Sequence, residues 1–350
     1  MRCPRAWLDT VRHVNDADMM PVADLPEPRE GRGSADLTWD TLRPEDAEQL
    51  QALFGDIADA DGTGETMPLE AARDQLSLPG FDLARDSLAV RDAGRLIATA
   101  SVDVATHPDR EGRARVRLEG GVHPHYRRRG IGGRLLDRQQ EMGRRLAEAV
   151  HPGRPGHLHV GGGLDGADVR PLLTARGFEQ VRTFQEMLRP LPDESLPEPA
   201  RIDGLELVTP GEGESAAVHA AHVEAFADHW GSAPASADRW ARLWQASTRR
   251  PEFSTIARDA DGIVQGYVIT EVWQPRRLYI GLVGTRPGAR GRGVATATLT
   301  RTLRLATRSG EFDDVELEVD GESLTGATRL YGRLGFILDK SFALYSKELS

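Results

Sequence analysis

The chain has 350 residues, 39% of them apolar and 28% charged, enough for two domains of ordinary size with packed cores. A formal net charge of −10 argues against a general nucleic-acid binder, and the lone cysteine, Cys3, excludes an intramolecular disulfide and a thiolate metal site. No stretch of about 18 apolar residues is present, so neither a membrane-spanning helix nor a membrane partner is expected.

Residues 1–35 are rich in proline, glycine and charge and read as a disordered leader without the apolar centre of a signal peptide; Met19 and Met20 offer alternative starts. A short strand from Leu37 to Leu42 precedes a helix with Pro44 in its first turn, in which Leu50, Leu53, Phe54 and Ile57 recur at core spacing. SLAVRDAGRLIATASVDVA, from Ser87, reads as a hairpin, and RARVRLEGGVH, from Arg113, as the next strand. That strand runs into a glycine- and arginine-rich loop, followed by the helix GIGGRLLDRQQEMGRRLAEAV from Gly130. HLHVGGG is a short buried strand, VRPLLTARGF a helix stopped at Gly177, and FEQVRTFQEMLRPL the closing strand of a first domain, 36–189. The proline-rich segment 190–204 reads as an extended linker.

The second domain, 205–350, repeats this order. GLELVTP is a strand; the segment from Glu212 is a helix with its exit at FADHWG; ADRWARLWQAS is a second helix, with Trp240 and Trp244 one turn apart as core. A hairpin turning at Asp-Ala-Asp-Gly follows, then the strand LYIGLVGT, a second glycine- and arginine-rich loop, and a helix from about Val294. The strand DVELEVD, the helix TGATRLYGRLGF and the strand FALYSKEL complete the domain. The fold class is α+β: two tandem domains, each a mixed, mostly antiparallel sheet flanked by helices.

The loops are copies of one another. Pro124, Arg127, Gly130 and Gly132 recur as Pro287, Arg290, Gly293 and Ala295, 163 residues on, and the Gly177-Phe178 ending recurs as Gly335-Phe336, 158 residues on. A glycine-rich turn from strand to helix is a diphosphate cradle: glycine lets backbone N–H groups approach an anion, and the helix start adds partial positive charge. Arg127, Arg128 and Arg129 in one loop, and Arg290 and Arg292 in the other, supply further positive charge.

The order of these motifs is similar to the GNAT superfamily of acyl-CoA-dependent N-acetyltransferases, over about residues 36–350. It comprises a strand, Arg-x-x-Gly-x-Gly/Ala, a helix, and a Leu-Tyr-x-x-Leu-Gly-Phe-like ending. Within it, the tandem layout and the segment VDGES to LYGRLGF resemble the mycothiol synthase subfamily. The resemblance implies an acetyl-CoA cosubstrate and a small-molecule amine partner; the lone cysteine suits the cytoplasm, the ten histidines show no metal-ligand spacing, so no metal is expected, and the fused halves point to a monomer with an internal pseudo-dimer or a homodimer. The resemblance also implies coenzyme contacts from Val283, Gly284, Thr285, Arg290, Gly291, Arg292, Gly293, Val294, Ala295 and Thr296. In the first copy the counterparts are Val122, Arg127, Arg128, Arg129, Gly130, Ile131, Gly132 and Gly133.

Acyl transfer to an amine needs a neutral amine, a stabilised oxyanion and a proton for the departing thiolate. The resemblance makes Tyr331, four residues before Gly335, the acid; Leu173 stands at the equivalent place of the first half and cannot donate, which points to a catalytic second half. A non-catalytic acyl-CoA-binding module is the rival reading. The subfamily places a glutamate on the strand before the loop, where this chain has Tyr279; Glu271 is a candidate base on the preceding strand, beside the alternative of a plain strand-end carboxylate. Glu119 reads as structural. Ser323 is a candidate cap or coenzyme contact, and Asp228, His229 and Trp230 are candidates for an acceptor pocket.

Overall fold

The computed structural model describes residues 37–78, 80–192, 196–227, 236–322 and 326–349. The leader, Asp228, His229, Trp230 and Ser323 lie outside them. The described residues form two compact units: one holds those up to Val181 together with those from Ala343 onward, the other those between Arg182 and Phe342.

The first unit contains β1 (Leu37–Asp40), α1 (Ala47–Asp61), α2 (Leu69–Leu76), α3 (Leu83–Asp86), β2 (Ser87–Asp92), β3 (Arg95–Val104), β4 (Ala114–Val122), α4 (Ile131–Val150), β5 (Gly156–Gly161) and α5 (Val169–Thr174). Strands β1 to β4 pair antiparallel in chain order, and β4 pairs β5 in parallel. The parallel step exists because α4 carries the chain back across one face. Leu135, Leu136, Met142 and Leu146 of α4 recur at helical spacing and bury against Val102, Val116 and Leu158 of the sheet. Each such side chain contributes about 1.5–3 kcal/mol on burial.

The second unit contains most of β6 (Glu179–Pro190), then β7 (Glu206–Val208), α6 (Ser215–Ala225), α7 (Ala237–Gln245), β8 (Thr255–Arg258), β9 (Val264–Gln274), β10 (Arg277–Thr285), α8 (Val294–Ser309), β11 (Asp314–Asp320), α9 (Ala327–Arg333) and the start of β12 (Ile337–Leu349). The sequence β7, β8, β9, β10 pairs antiparallel, and β10 pairs β11 in parallel across α8. Leu299 and Leu303 of α8 close this core on Val268, Leu278, Ile280, Val315 and Leu317.

One expectation is corrected. FEQVRTFQEMLRPL does not close the first sheet, nor does FALYSKEL close the second. Residues Phe184–Pro190 of β6 pair with β11 in the second unit, and Leu344–Leu349 of β12 pair with β5 in the first. The boundaries 36–189 and 205–350 therefore give way to divisions at Val181/Arg182 and Phe342/Ala343. Alternation along a strand marks its two faces but is silent on its partner. β6 belongs firmly to its new unit: Met187 is buried in the second core, and a Cβ added to Gly335 would lie 2.0 Å from Arg189 Nη1.

Helices α2 and α3 carry no signal noticed in the sequence. The linker is only in part a spacer. Leu196 is buried in the second core, and Arg304 Nη1 donates to its carbonyl at 2.7 Å.

Candidate active site

The site is built around β10. Its parallel register with β11 runs from Arg277↔Asp314 to Ile280↔Leu317 and stops there, while β10 continues to Thr285. On its other edge the pairing with β9 shifts by one residue between Ile280 and Leu282, a β-bulge at Gly281. A bulge bends the strand and re-aims its backbone groups. Here it coincides with the place where β10 and β11 part, so Val283, Gly284 and Thr285 line an opening bordered by backbone. An extended ligand arm can be held there by strand-like hydrogen bonds.

Glycine shapes the opening. A Cβ on Gly284 would lie 2.3 Å from the ring and hydroxyl of Tyr267, the residue opposite it on β9. Tyr267 is wholly buried, its phenol is held well above its usual range by that burial, and its hydroxyl shares a 2.7 Å hydrogen bond with His222 Nδ1. Around them Trp240 stacks on His219 and Trp244, with centroids 5.0 and 5.9 Å apart. Both tryptophans are buried, as their spacing predicts.

Beyond Thr285 the chain makes the expected loop. Gly293 caps α8 at φ 82°, a conformation costly for any residue with a Cβ. The first helical bond runs from Ala297 N–H to Gly293 C=O at 3.0 Å. The N–H groups of Val294, Ala295 and Thr296 therefore lie in the first turn, where no intrahelical partner exists. Arg290 Nη2 donates to the Ala225 carbonyl at 3.0 Å and Arg292 Nη2 to the Asp203 carbonyl at 2.8 Å. The structure thus brings Val283 to Thr296 into one strand, loop and helix start suited to an extended, anionic ligand.

Tyr331 sits on α9 and is 7% exposed, edge-on to Phe336 with ring centroids 5.9 Å apart. Burial pushes its phenol up to about 12. It keeps its proton at any working pH and is always available as a donor.

The first unit repeats the frame with two differences. β3 and β4 pair from Ala98↔Val122 to Val104↔Val116 without a shift, so the bulge is lacking. Leu173, fully buried on α5, stands where Tyr331 stands. Its loop keeps the same shape, with Gly130 at φ 81° ahead of Ile131, Gly132 and Gly133, and two of its three arginines are tied to carboxylates. Arg127 grips both oxygens of Asp61 at 2.5 and 3.0 Å, and Arg128 pairs with Asp168 at 2.6 Å. Arg129 donates to the His125 carbonyl at 2.9 Å, and Val122 ends β4 just before the loop.

Three features escaped the sequence reading: the bulge at Gly281, Asp61 as a partner of the first loop, and Trp273. The last donates through Nε1 to Glu271 Oε2 at 2.5 Å. A tryptophan two residues after a glutamate on one strand face was the available signal. Among the described residues no group of three His, Cys, Asp or Glu side chains is arranged to hold a metal, and no helix is long and apolar enough to cross a membrane.

The chain is similar to known acetyltransferases. The model of the acetyltransferase (GNAT) family matches residues 216–336. The mycothiol acetyltransferase of Salinispora tropica is 30% identical over 308 residues, 85% of this chain and 92% of its own length. That of Streptomyces coelicolor is 29% identical over 332 residues, 91% and 97% of the two chains. Among solved structures, a GCN5-related N-acetyltransferase from Sphaerobacter thermophilus matches with TM-score 0.67 and 27% identity, over 90% of this chain and 96% of that one. A tandem GNAT protein from the clavulanic acid biosynthesis pathway shares the fold at TM-score 0.66 and 18% identity, over 90% and 99%.

Proposed function

The chain belongs to the acetyltransferase (GNAT) family, and from that premise we propose that its second unit moves an acetyl group from acetyl-CoA to a primary amine of a small molecule. The observation that carries the choice of unit is the pair Tyr331 and Leu173: one α9-type position has a proton donor and the other does not. The name of its relatives makes the amine precursor of mycothiol the first acceptor to test.

The residues divide the work as follows. Val294, Ala295 and Thr296 offer N–H groups to the coenzyme diphosphate, with the helix dipole behind them. Arg290 and Arg292 add positive charge beside it. The edge of β10 from Val283 to Thr285 holds the pantetheine arm. Acetyl-CoA supplies the thioester; backbone N–H at the bulge faces the oxyanion as the amine adds, and Tyr331 donates toward the sulfur as the C–S bond breaks. No covalent enzyme intermediate is needed. A location in the cytoplasm fits the supply of acetyl-CoA.

For the first unit alone, the tied arginines favour a second reading, a structural or weakly coenzyme-binding domain. Calorimetric titration of the full chain with acetyl-CoA tests both. One tight site is expected, abolished by Gly293→Asp and kept by Gly130→Asp. Two equal sites refute the division between units, and absence of any binding refutes the acetyltransferase mechanism.

A further inference from the structure

We propose that Glu271 is the catalytic base that takes the proton from the acceptor amine, delivered from β9 rather than from the strand that leads into the coenzyme loop. The inference rests on the acetyltransferase reading given above.

Glu271 lies directly opposite Tyr279 in the antiparallel pair β9–β10, so the two side chains share one face of the sheet. It is 3% exposed. Its carboxylate does not stay over its own strand. A Cβ built on Gly281 would lie 3.2 Å from Glu271 Oε1 and 3.3 Å from its Cδ, so the carboxylate leans across to the bulge. Glycine at 281 is what gives it the room. Trp273 fixes the other oxygen through the 2.5 Å bond from Nε1 to Oε2. The backbone beneath is pinned from the far side as well: Val272 N–H donates to the Thr248 carbonyl at 2.7 Å, and Arg250 N–H to the Thr270 carbonyl at 2.8 Å.

Gly281 is the first residue of β10 beyond the last β11 partner, Ile280↔Leu317. A buried, oriented carboxylate therefore stands at the mouth of the opening in which a thioester would rest. The ionisable groups on the elements beside it are Tyr279 and Arg277 on β10, Glu316 on β11 and Arg249 with its Glu212 partner beside β9, with Tyr267 four residues along β9 and its partner His222 on α6 farther off. Glu316 is the rival carboxylate. Its Oε2 accepts from Arg277 Nη1 at 3.3 Å, and it lies opposite Tyr279, inside the paired part of the β10–β11 ladder and short of the opening.

The step balances as follows. Glu271 takes one proton from the ammonium, directly or through one water; the amine lone pair forms the C–N bond; the C–S bond breaks. Tyr331 gives its proton to the thiolate. The second N–H proton, lost as the amide forms, restores the phenol, and the proton on Glu271 passes to solvent.

The test uses the full chain, steady-state acetyl transfer and two acceptor classes. With a strongly basic amine, Glu271→Gln should lower kcat/KM by roughly 10²–10⁴-fold. Acetyl-CoA affinity should not change. With a weakly basic acceptor such as hydroxylamine, already neutral at the assay pH, the loss should shrink to a few-fold. Should the variant fail to fold, Glu271→Asp decides: drawing the carboxylate back should cost much more kcat/KM with the basic amine than with the weakly basic one, and an equal cost overturns the assignment. Unchanged kcat/KM in the variant, or an equal loss with both acceptors, overturns the assignment. A wild type that acetylates no amine at all removes the acetyltransferase reading first, and this inference with it.

Discussion

Replacing Tyr331 by phenylalanine separates chemistry from packing in one variant. The ring and its edge contact with Phe336 remain, and only a buried hydroxyl is lost. At neutral pH the stability change should therefore stay within about 1 kcal/mol. Turnover should fall by roughly 10²-fold with acetyl-CoA affinity unchanged, the pattern for a group that acts only as the bond breaks. The same hydroxyl predicts an alkaline effect. Burial raises the phenol from 10.0 to about 12, so the unfolded chain ionises first. Stability is full below the unfolded value and is lost as pH rises from about 10 toward 12. A shift of about two pH units corresponds to a loss of roughly 3 kcal/mol in the wild type that the phenylalanine variant is spared. Denaturant unfolding at pH 8, 10 and 11.5 reads the difference between the two proteins, so other alkaline titrations cancel. Full turnover in the variant removes Tyr331 as the acid; identical alkaline slopes refute the burial on which the magnitude rests.

Two further outcomes are expected. A fragment beginning at residue 205 lacks the β6 strand that pairs with β11, and should fail to give a cooperative thermal transition, whereas 182–342 should unfold cooperatively; equal behaviour of the two would refute the strand assignment. His157 and His159 stack with centroids 4.3 Å apart, and burial, aided by neighbouring positive charge, holds both below the ordinary histidine range. The unfolded chain then takes up protons first as pH falls below about 6.5, so stability declines with acid and His159→Gln should flatten that decline in thermal melts between pH 7.5 and 5.

Much of this was legible before any coordinates. The two loops, their helices and the Gly-Phe endings are local: a turn needing positive φ demands glycine, and an apolar stripe demands a helix. Gly130 and Gly293 sit where the spacing put them. What stayed hidden is non-local. Which sheet receives β6 depends on partners far along the chain, and alternation carries no address. The bulge at Gly281 leaves no mark in a strand that reads LYIGLVGT. The opposition of Glu271 and Tyr279 follows from register alone, which shifts on both sides of the pair, between Arg277 and Tyr279 and at Gly281.

The duplication also shows how a loop can outlast its charge. Gly291 takes φ 77° in the second copy, and Arg128 takes φ 62° at the equivalent place in the first. For an arginine that conformation costs about 1–2 kcal/mol, so glycine's freedom is not what holds the first loop. Its ties do so instead: Arg127 to both oxygens of Asp61 and to the Val122 carbonyl, Arg128 to Asp168. In the second copy Arg290 meets the carbonyls of Thr285 and Ala225. A carboxylate tie offsets the charge of a guanidinium and places a negative charge where an anion would approach. The first loop thus keeps the backbone of a phosphate cradle while its electrostatics serve the joint between α1 and α4, which is the physical ground for expecting one tight coenzyme site rather than two.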